Sequence, residues 1–393
     1  MTAIPAHVDL LIVGGGPVGG ALALALQDSG RSVAVIEARA EPVGDARALA
    51  VAEAAAQRLA EMGAWPAAAA SPIRRVHVSQ QGAFGRVLLD RHDLKLDALG
   101  HVMPYAALAG AIHRRLQTVV PHYLPGTSVT GLRTLDGYAV ATVERAGETS
   151  LITARLVVLA EGGRLFEAAG LERIERDYAQ TALVAEIHCD RDHDGMAFER
   201  FASDGPIALL PLLPDRAGTA RGRFAVVWTR PRHDPLAVAT LDDAAFLAAL
   251  QERLGDRAGR LLTVGPRQAF PLRLRWARRP YGRRVAVVGN AAQTLHPVAG
   301  QGFNLGFRDA LTLARLVRAS SREQLGEPAM LARYAELRRL DSGATVGFTD
   351  GLIRLFGIDR PALRHARAAG FIALDNLPPL RRLFAERMVF GSP

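Results

Sequence analysis

The sequence predicts an α/β chain, α+β overall: a parallel, doubly wound sheet that the chain starts, leaves and re-enters, an inserted region of mostly antiparallel strands, and a helical C-terminal segment. Three observations carry this prediction. The apolar run Val8–Val13 leads into GGGPVGG and then into an alanine- and leucine-rich stretch, which reads as strand, tight turn and helix. A second junction of the same kind, VAVVGNAAQTLHPVAGQGFNLG, occupies 285–306. Between the two, from 128 to 275, short segments alternate apolar and polar residues and are separated by glycine and proline.

The first junction is the more specific. Gly14, Gly16 and Gly19 have G-x-G-x-x-G spacing, with a strand before and a helix to about Ser29 after. Gly30 then caps the helix, and Val33–Ile36 forms a second strand ending in Glu37. An acid there accepts hydrogen bonds from an adenosine ribose and disfavours a 2′-phosphate, so a Rossmann-like fold holding FAD or NAD is expected, not NADP. The second junction begins with the buried-strand pattern Val285–Val288, breaks at Gly289 and Asn290, and carries Pro297, Gly300 and Gly302 before a helix. Such a junction suits the flavin half of an extended FAD, since glycines there let backbone N–H groups approach a ligand.

Composition sets the outer limits. At 393 residues the chain holds one large domain or two ordinary ones, and 49% apolar with 22% charged residues is globular rather than disordered. Cys189 is the single cysteine, so no internal disulfide forms, and its strand-like setting predicts packing rather than chemistry. The formal charge of +9 is carried almost wholly by arginine, with Lys95 the one lysine. These charges are scattered rather than striped, which argues against nucleic acid and suits an anionic cofactor or membrane surface. Asp9 and the early strand leave no room for a signal peptide, and no apolar run reaches about twenty residues, so a cytoplasmic protein is expected.

The remaining elements follow in order. In the stretch 41–65, Arg47 follows a loop with Pro42 and Gly44, and a long alanine-rich helix is expected after it. That arginine is either a counter-charge for a pyrophosphate or a surface residue. Residues 73–90 read as a hairpin turning at Gly82–Gly85, with His77 a strand residue, and Ala106–Val120 as an amphipathic helix with His113, Arg114 and Arg115 on a solvated face. A three-stranded meander is expected over 128–160, with turns at Asp136–Gly137 and Gly147–Glu148. Further strands fall at 181–190, 207–213 and 223–230, a helix at Asp242–Leu254, and extended chain at Gly265–Arg275. Helices are expected over Leu305–Ala319, Pro328–Leu340 and Thr345–Phe356. The basic, apolar tail NLPPLRRLFAERMVFG either touches a membrane surface or docks as a terminal helix. Residues 1–75, 101–170 and 276–330 thus form a discontinuous cofactor domain, 76–100 and 171–275 a β domain for substrate, and 331–393 a helical region.

Protein-borne chemistry is scarce. There is no G-x-S-x-G, no H-E-x-x-H, no cysteine pair and no metal-ligand spacing, which fits an enzyme whose cofactor does the hard step. His296, beside Pro297, is the one histidine placed near a flavin ring. It either orients substrate or accepts a phenolic proton, or is a strand-end histidine satisfied by backbone.

These residues resemble the flavin-dependent aromatic hydroxylases of the para-hydroxybenzoate hydroxylase type, and within them the UbiH family of ubiquinone biosynthesis, in its 2-polyprenyl-6-methoxyphenol 4-hydroxylase branch. The resemblance spans nearly the whole chain and rests on VGGGPVGG, DARALAVA at 45–52, RRVHVSQQGAFG at 74–85 and DYAQTALVAEI at 177–187. MAFERF at 196–201, GPIALLPL at 205–212, GNAAQTLHP and ATVGFTDGLIRLF at 344–356 complete it. It implies that Gly14, Gly16, Gly19 and Glu37 hold the ADP half of FAD and that Arg47 sits near the pyrophosphate. Gly289 and Asn290 would contact pyrophosphate and ribitol; Gly300, Gly302 and Asn304 would line the isoalloxazine, with Pro297 bordering its reactive side. Two positions depart from the family: Glu161-Gly162 replaces Asp-Gly, and Asp45-Ala46-Arg47 replaces Asp-Gly-Arg. The implied reaction is reduction of FAD by transiently bound NAD(P)H, addition of O₂ at the flavin C4a, and transfer of the distal hydroperoxide oxygen to an electron-rich phenol. A polyprenyl-phenol substrate implies an apolar channel and contact with a membrane or with other ubiquinone-biosynthesis proteins. Hydroxylation at another ring position, another aromatic substrate, or a flavin reductase acting on isoprenoids are the alternatives.

Overall fold

The computed structural model describes residues 3–42, 47–214, 222–234 and 236–391. Gly44, Asp45 and Ala46 lie outside the described residues, so the departure at 45–46 has no structural account.

Strand β1 (His7–Val13) leads through α1 (Pro17–Ala25) to β2 (Val33–Glu37). The helix stops at Ala25, before the expected Ser29, because Asp28 at φ +60° cannot continue it. The long helix expected after Arg47 is instead β3 (Ala48–Ala52) followed by a short α2 (Glu53–Glu61). Alanine favours helix locally, but tertiary pairing overrides it. Together with β4 (Ser71–Ile73) and a strand at Gly100–Pro104, β3 forms a small antiparallel sheet. The expected hairpin is β5 (Arg75–Gln80) and β6 (Arg86–Asp90), with Val78 opposite Val87; Gly100–Pro104 is β7.

Helix α3 (Tyr105–Val119) carries a second correction. His113 is buried rather than solvated, because its Nδ1 meets Tyr123 Oη at 2.8 Å. Tyr123 belongs to β8 (His122–Pro125), which pairs with β2. The meander is as expected: β9 (Thr127–Thr134), β10 (Ala139–Arg145) and β11 (Glu148–Leu159) are antiparallel neighbours. The last residues of β11 run parallel to β1, with Val157 beside Leu11.

The inserted region is one large sheet. It contains β12 (Arg173–Cys189), β13 (Met196–Ala202), β14 (Gly205–Pro211), β15 (Gly222–Pro231), β16 (Leu261–Val264), β17 (Gln268–Ala277) and the β5–β6 hairpin. On one face lies α4 (Asp243–Leu254), capped by Asp242, whose carboxylate accepts from Ala245 N at 2.8 Å, with Phe246 edge-on to Trp228. Cys189 sits in this core, where burial pushes its thiol up to about 12, so it packs and does not react.

The chain then returns through β18 (Tyr281–Gly282) and β19 (Val285–Val287), which completes the parallel order β8–β2–β1–β11–β19. A short β20 (Gln293–Thr294) precedes α5 (Gln301–Ala319). The two helices expected at 328–340 and 345–356 are a single helix, α6 (Pro328–Gly357). Asp341 does not break it, because its carboxylate accepts from Arg308 and Arg338 instead of competing for backbone. Helices α7 (Pro361–Asn376) and α8 (Pro378–Phe390) close the chain; Asp375 caps Leu88 N of β6 at 2.8 Å, and Arg381 pairs with Asp93. Among the described residues no helix is long and apolar enough to cross a membrane.

The parallel sheet is buried on both faces. Leu10 and Ile12 pack toward α1, α3 and α5, while Val8, Leu11 and Val13 pack toward the meander.

Candidate active site

The glycine turn after β1 is shaped by close approach. Gly14 takes φ +108°, and a Cβ there would lie 2.8 Å from the carbonyl carbon of Ala160 at the end of β11. A Cβ on Gly19 would lie 2.0 Å from Gly14 O, so only glycine lets α1 pack on the turn. Gly16, by contrast, faces open space: the nearest atom to an added Cβ is Tyr105 Oη at 3.5 Å. It is also the N-cap of α1, with no side-chain cap and no acid in the first turn. The helix N-terminus therefore presents unpaired N–H groups and its positive dipole end. Glu37, at the end of β2, accepts from Gly15 N at 2.9 Å and Arg39 N at 3.1 Å, and its carboxylate keeps further lone pairs for a ribose hydroxyl.

The second junction abuts the first. A Cβ on Gly289, which sits at φ +61°, would lie 3.1 Å from Val18 Cγ1 on α1, and one on Gly306 would lie 2.7 Å from Gly289 Cα. Beneath this contact is a buried polar network that no sequence motif announced. Asp309 accepts from Gly289 N at 3.2 Å, from Gln293 Nε2, and from Arg338 Nε at 2.7 Å; Arg338 also pairs with Asp341. Burial raises the Asp309 carboxyl above its usual range, against the pull of Arg338. Asn290 is exposed at the lip. Arg47 is also exposed, its guanidinium 5.7 Å from the Tyr105 ring and 5.5 Å from that of Phe270. Tyr105 is the residue whose hydroxyl faces Gly16, so Arg47 stands on the same side as the open helix N-terminus.

Ala299 and Gly300 both adopt left-handed backbone, at φ +59° and +61°, and Gly300 caps α5, again without a side-chain cap or first-turn acid. A Cβ on Gly300 would meet Ala50 Cβ at 2.9 Å, whereas one on Gly302 would meet nothing within 4 Å. Asn304 clamps this loop: its Oδ1 accepts from Ala52 N at 2.8 Å, and its Nδ2 donates to Ala50 O and Gly300 O at 3.0 and 3.1 Å. Its amide is thus satisfied within the protein.

From Pro297, Ala299 and Gly300 an apolar cavity of about 360 Å³ runs outward. One wall is the large sheet, with Val78, Ala208, Leu210 and Val227; the other is α6, α7 and α8, with Leu352, Phe356, Phe371 and Phe384. A larger groove, about 910 Å³, is lined by Arg278, Arg279, Arg283, Glu172 and Glu327 and includes no residue of either glycine junction. The apolar cavity is therefore the one that continues the site.

The family described as FAD binding domain matches residues 7–349. The chain is 37% identical to ubiquinone hydroxylase UbiL of Rhodospirillum rubrum, over 96% of this chain and 88% of that protein. It is 32% identical to 3-demethoxyubiquinol 3-hydroxylase of Escherichia coli K12, over 95% and 96% of the two chains. The crystal structure of p-nitrophenol 4-monooxygenase PnpA from Pseudomonas putida shares the fold, with a TM-score of 0.79 at 19% identity over 99% and 100%. The chain belongs to the FAD-binding-domain family of flavin-dependent aromatic monooxygenases.

The monooxygenase has what FAD requires: two uncapped helix N-termini, open backbone at Gly16 and Gly302, and an acid at the end of β2. Glu161 has a local role instead. Its carboxylate accepts from Arg164 N at 2.8 Å and Leu165 N at 3.2 Å, which holds the turn after β11. His296 is fully buried and edge-on to Tyr178; its Nδ1 accepts from Val298 N at 3.3 Å, and burial pulls its pKa down to about 4. It is not among the residues lining the cavity, whereas Pro297 is. One lining residue escaped sequence reasoning. Glu199 faces the cavity from the middle of β13, and the available signal was a charged residue at an inward position of the alternating strand MAFERFA.

Proposed function

We propose that this monooxygenase hydroxylates a polyprenylated phenol of ubiquinone biosynthesis, at C4 of 2-polyprenyl-6-methoxyphenol, with NAD(P)H and O₂ as co-substrates. The observation that carries the reading is the apolar cavity that starts at Pro297 and Gly300 and extends between the large sheet and the C-terminal helices. A phenol head at the inner end leaves room for an isoprenoid tail along Phe356, Phe371 and Phe384. In this reading Gly14, Gly16, Gly19 and Glu37 hold the ADP half of FAD, with Arg47 near the pyrophosphate. Gly289 and Asn290 contact pyrophosphate and ribitol, and Gly300 and Gly302 line the flavin ring in a loop set by Asn304. Bound FAD supplies electron transfer from NAD(P)H and activation of O₂. The chain's own residues orient the ring at Pro297 and keep water out with an apolar wall.

A second ring position is favoured by one observation, the 32% identity to a 3-hydroxylase over 95% of the chain. The tail-end helix supports peripheral contact with the inner face of a membrane: Leu377, Leu380, Leu383 and Phe390 are exposed beside Arg382 and Arg387. Other ubiquinone-biosynthesis proteins would fit the same surface.

The test is mass spectrometry of quinone intermediates in cells lacking the gene, with the purified FAD-loaded protein assayed in parallel. Accumulation of 2-polyprenyl-6-methoxyphenol supports the C4 assignment. Accumulation of polyprenylphenol or of a demethoxyquinol moves the ring position. Unchanged ubiquinone, with no oxygen added to any prenylated phenol in vitro, overturns the substrate class.

A further inference from the structure

Among the described residues, four polar side chains line the apolar cavity, and three are satisfied by the protein. Asn304 clamps β3 to the Gly300 loop; Gln301 donates to the carbonyls of Ala299 and Met388 at 3.3 Å each. Arg367 donates to Gln80 Oε1 at 3.0 Å and to the carbonyls of Leu355 and Ile358. Glu199 is different. Its Oε1 is shielded from solvent and has no hydrogen-bond partner, and the backbone of Ala299 beside the carboxyl pulls its pKa down only in part. On the sheet it pairs with Val78 on one side and Ala208 on the other, so its neighbours are apolar. A buried carboxyl with an open acceptor costs stability unless something completes it. Ala299 adjoins Gly300 at the inner end of the cavity, where a substrate's head would sit.

We propose that Glu199 is a catalytic residue that anchors the ring hydroxyl of the substrate and accepts its proton. The inference rests on the phenol reading above. The phenol O–H bond breaks and an O–H bond forms on the Glu199 carboxylate; the electron pair stays on the ring oxygen, giving a phenolate, whose ring is more electron-rich at the ortho and para carbons. When the hydroxylated ring rearomatises, its C–H proton leaves in the water formed from the second oxygen atom of O₂, the phenolate oxygen is reprotonated from Glu199, and the carboxylate is restored. Burial pushes the Glu199 carboxyl up to about 8, within about two units of a phenol near 10, which makes it a far better base than an ordinary carboxylate. No other charge governs this titration among the described residues. On the cavity wall the other ionisable group is Arg367, tied as above, and Arg200, next along β13, donates to Arg253 O and Ser79 Oγ. The strands and helices that face Glu199 otherwise contribute apolar side chains.

The test uses the FAD-loaded protein, a short-chain 2-prenyl-6-methoxyphenol, and the variants Glu199→Gln and Glu199→Asp, with flavin content as the check on folding. Binding near pH 7.5 favours the carboxylate, so calorimetry in two buffers of different ionisation enthalpy should show a fraction of a proton released per phenol bound by the wild type and none by Glu199→Gln. Turnover by Glu199→Gln should fall about 100-fold or more with KM changed far less, and its rise with pH through about 8 should vanish, while Glu199→Asp keeps part of both. Unaltered proton release, or turnover within about twofold of wild type with the same pH profile, overturns the assignment. A wild-type protein that binds no prenylated phenol overturns the substrate reading, and the Glu199 assignment falls with it.

Discussion

The two halves of the site are built by different means. Around α1 and α5 the protein works with backbone: glycines that a Cβ would block, helix ends without caps, and strands that run to their C-terminal edges. Around the cavity it works with side chains, drawn from β5, β14, β15, α6, α7 and α8, and among the described residues that line it Glu199 is the one with an unpartnered buried polar atom. Backbone sites demand particular residues at particular spacings, because only glycine tolerates the approach. Apolar walls demand volume and shape, which many sequences supply.

The contrast predicts a ranking of effects. Gly19→Val should be the most severe, since its Cβ would sit 2.0 Å from Gly14 O, a backbone atom that cannot move aside. Protein purified with this change should carry no flavin, and its circular dichroism melt should fall by more than about 5 °C; flavin retained at wild-type stoichiometry would break the backbone account. Arg338→Met comes next. It leaves Asp309 buried without its ion-pair partner, and chemical denaturation should show a loss of about 3–5 kcal/mol. Flavin affinity should fall too, because Asp309 holds Gly289 N.

On the cavity side, effects should be selective rather than global. Leu374→Trp, on α7 in the cavity wall, should raise KM for a long-chain phenol by about tenfold and leave flavin content and short-chain phenols nearly unchanged. Equal losses for both substrates would mean the tail lies elsewhere. The smallest effect concerns pH and stability. Burial pushes the Glu199 carboxyl up to about 8 in the folded protein, from an ordinary 4.5. A carboxyl raised in this way contributes stability that is fully present below the unfolded value and is lost as pH rises through the folded one. Between about pH 6 and 8.5 the wild-type Tm should therefore drop by roughly 2–5 °C more than that of Glu199→Gln, measured by scanning calorimetry. Parallel curves for the two proteins would place the Glu199 pKa outside this window.

What was legible in the sequence follows the same division. The β1–α1–β2 unit with Glu37, the meander over 127–159, and the return at Val285 are local patterns whose residues answer to their own neighbours in the chain. At Ala48–Ala52 alanine's local preference is for helix, while pairing with β7 and the Asn304 clamp impose a strand. The burial of His113 is not legible locally, because its partner, Tyr123, lies on a strand of the parallel sheet. The break expected near Asp341 fails for a similar reason, since Arg308 and Arg338 occupy its carboxylate.

The sequence by itself therefore determined the cofactor half: a strand, three glycines, a helix and an acid can be recognised because each answers a steric or electrostatic demand within some twenty residues. Only the tertiary structure decided that Gly289 rests on Val18, that Asp309 braces it from below, and that Glu199 faces an apolar cavity closed by the C-terminal helices. Those facts depend on segments far apart in the chain, and burial, which sets their chemistry, exists only once the segments have met.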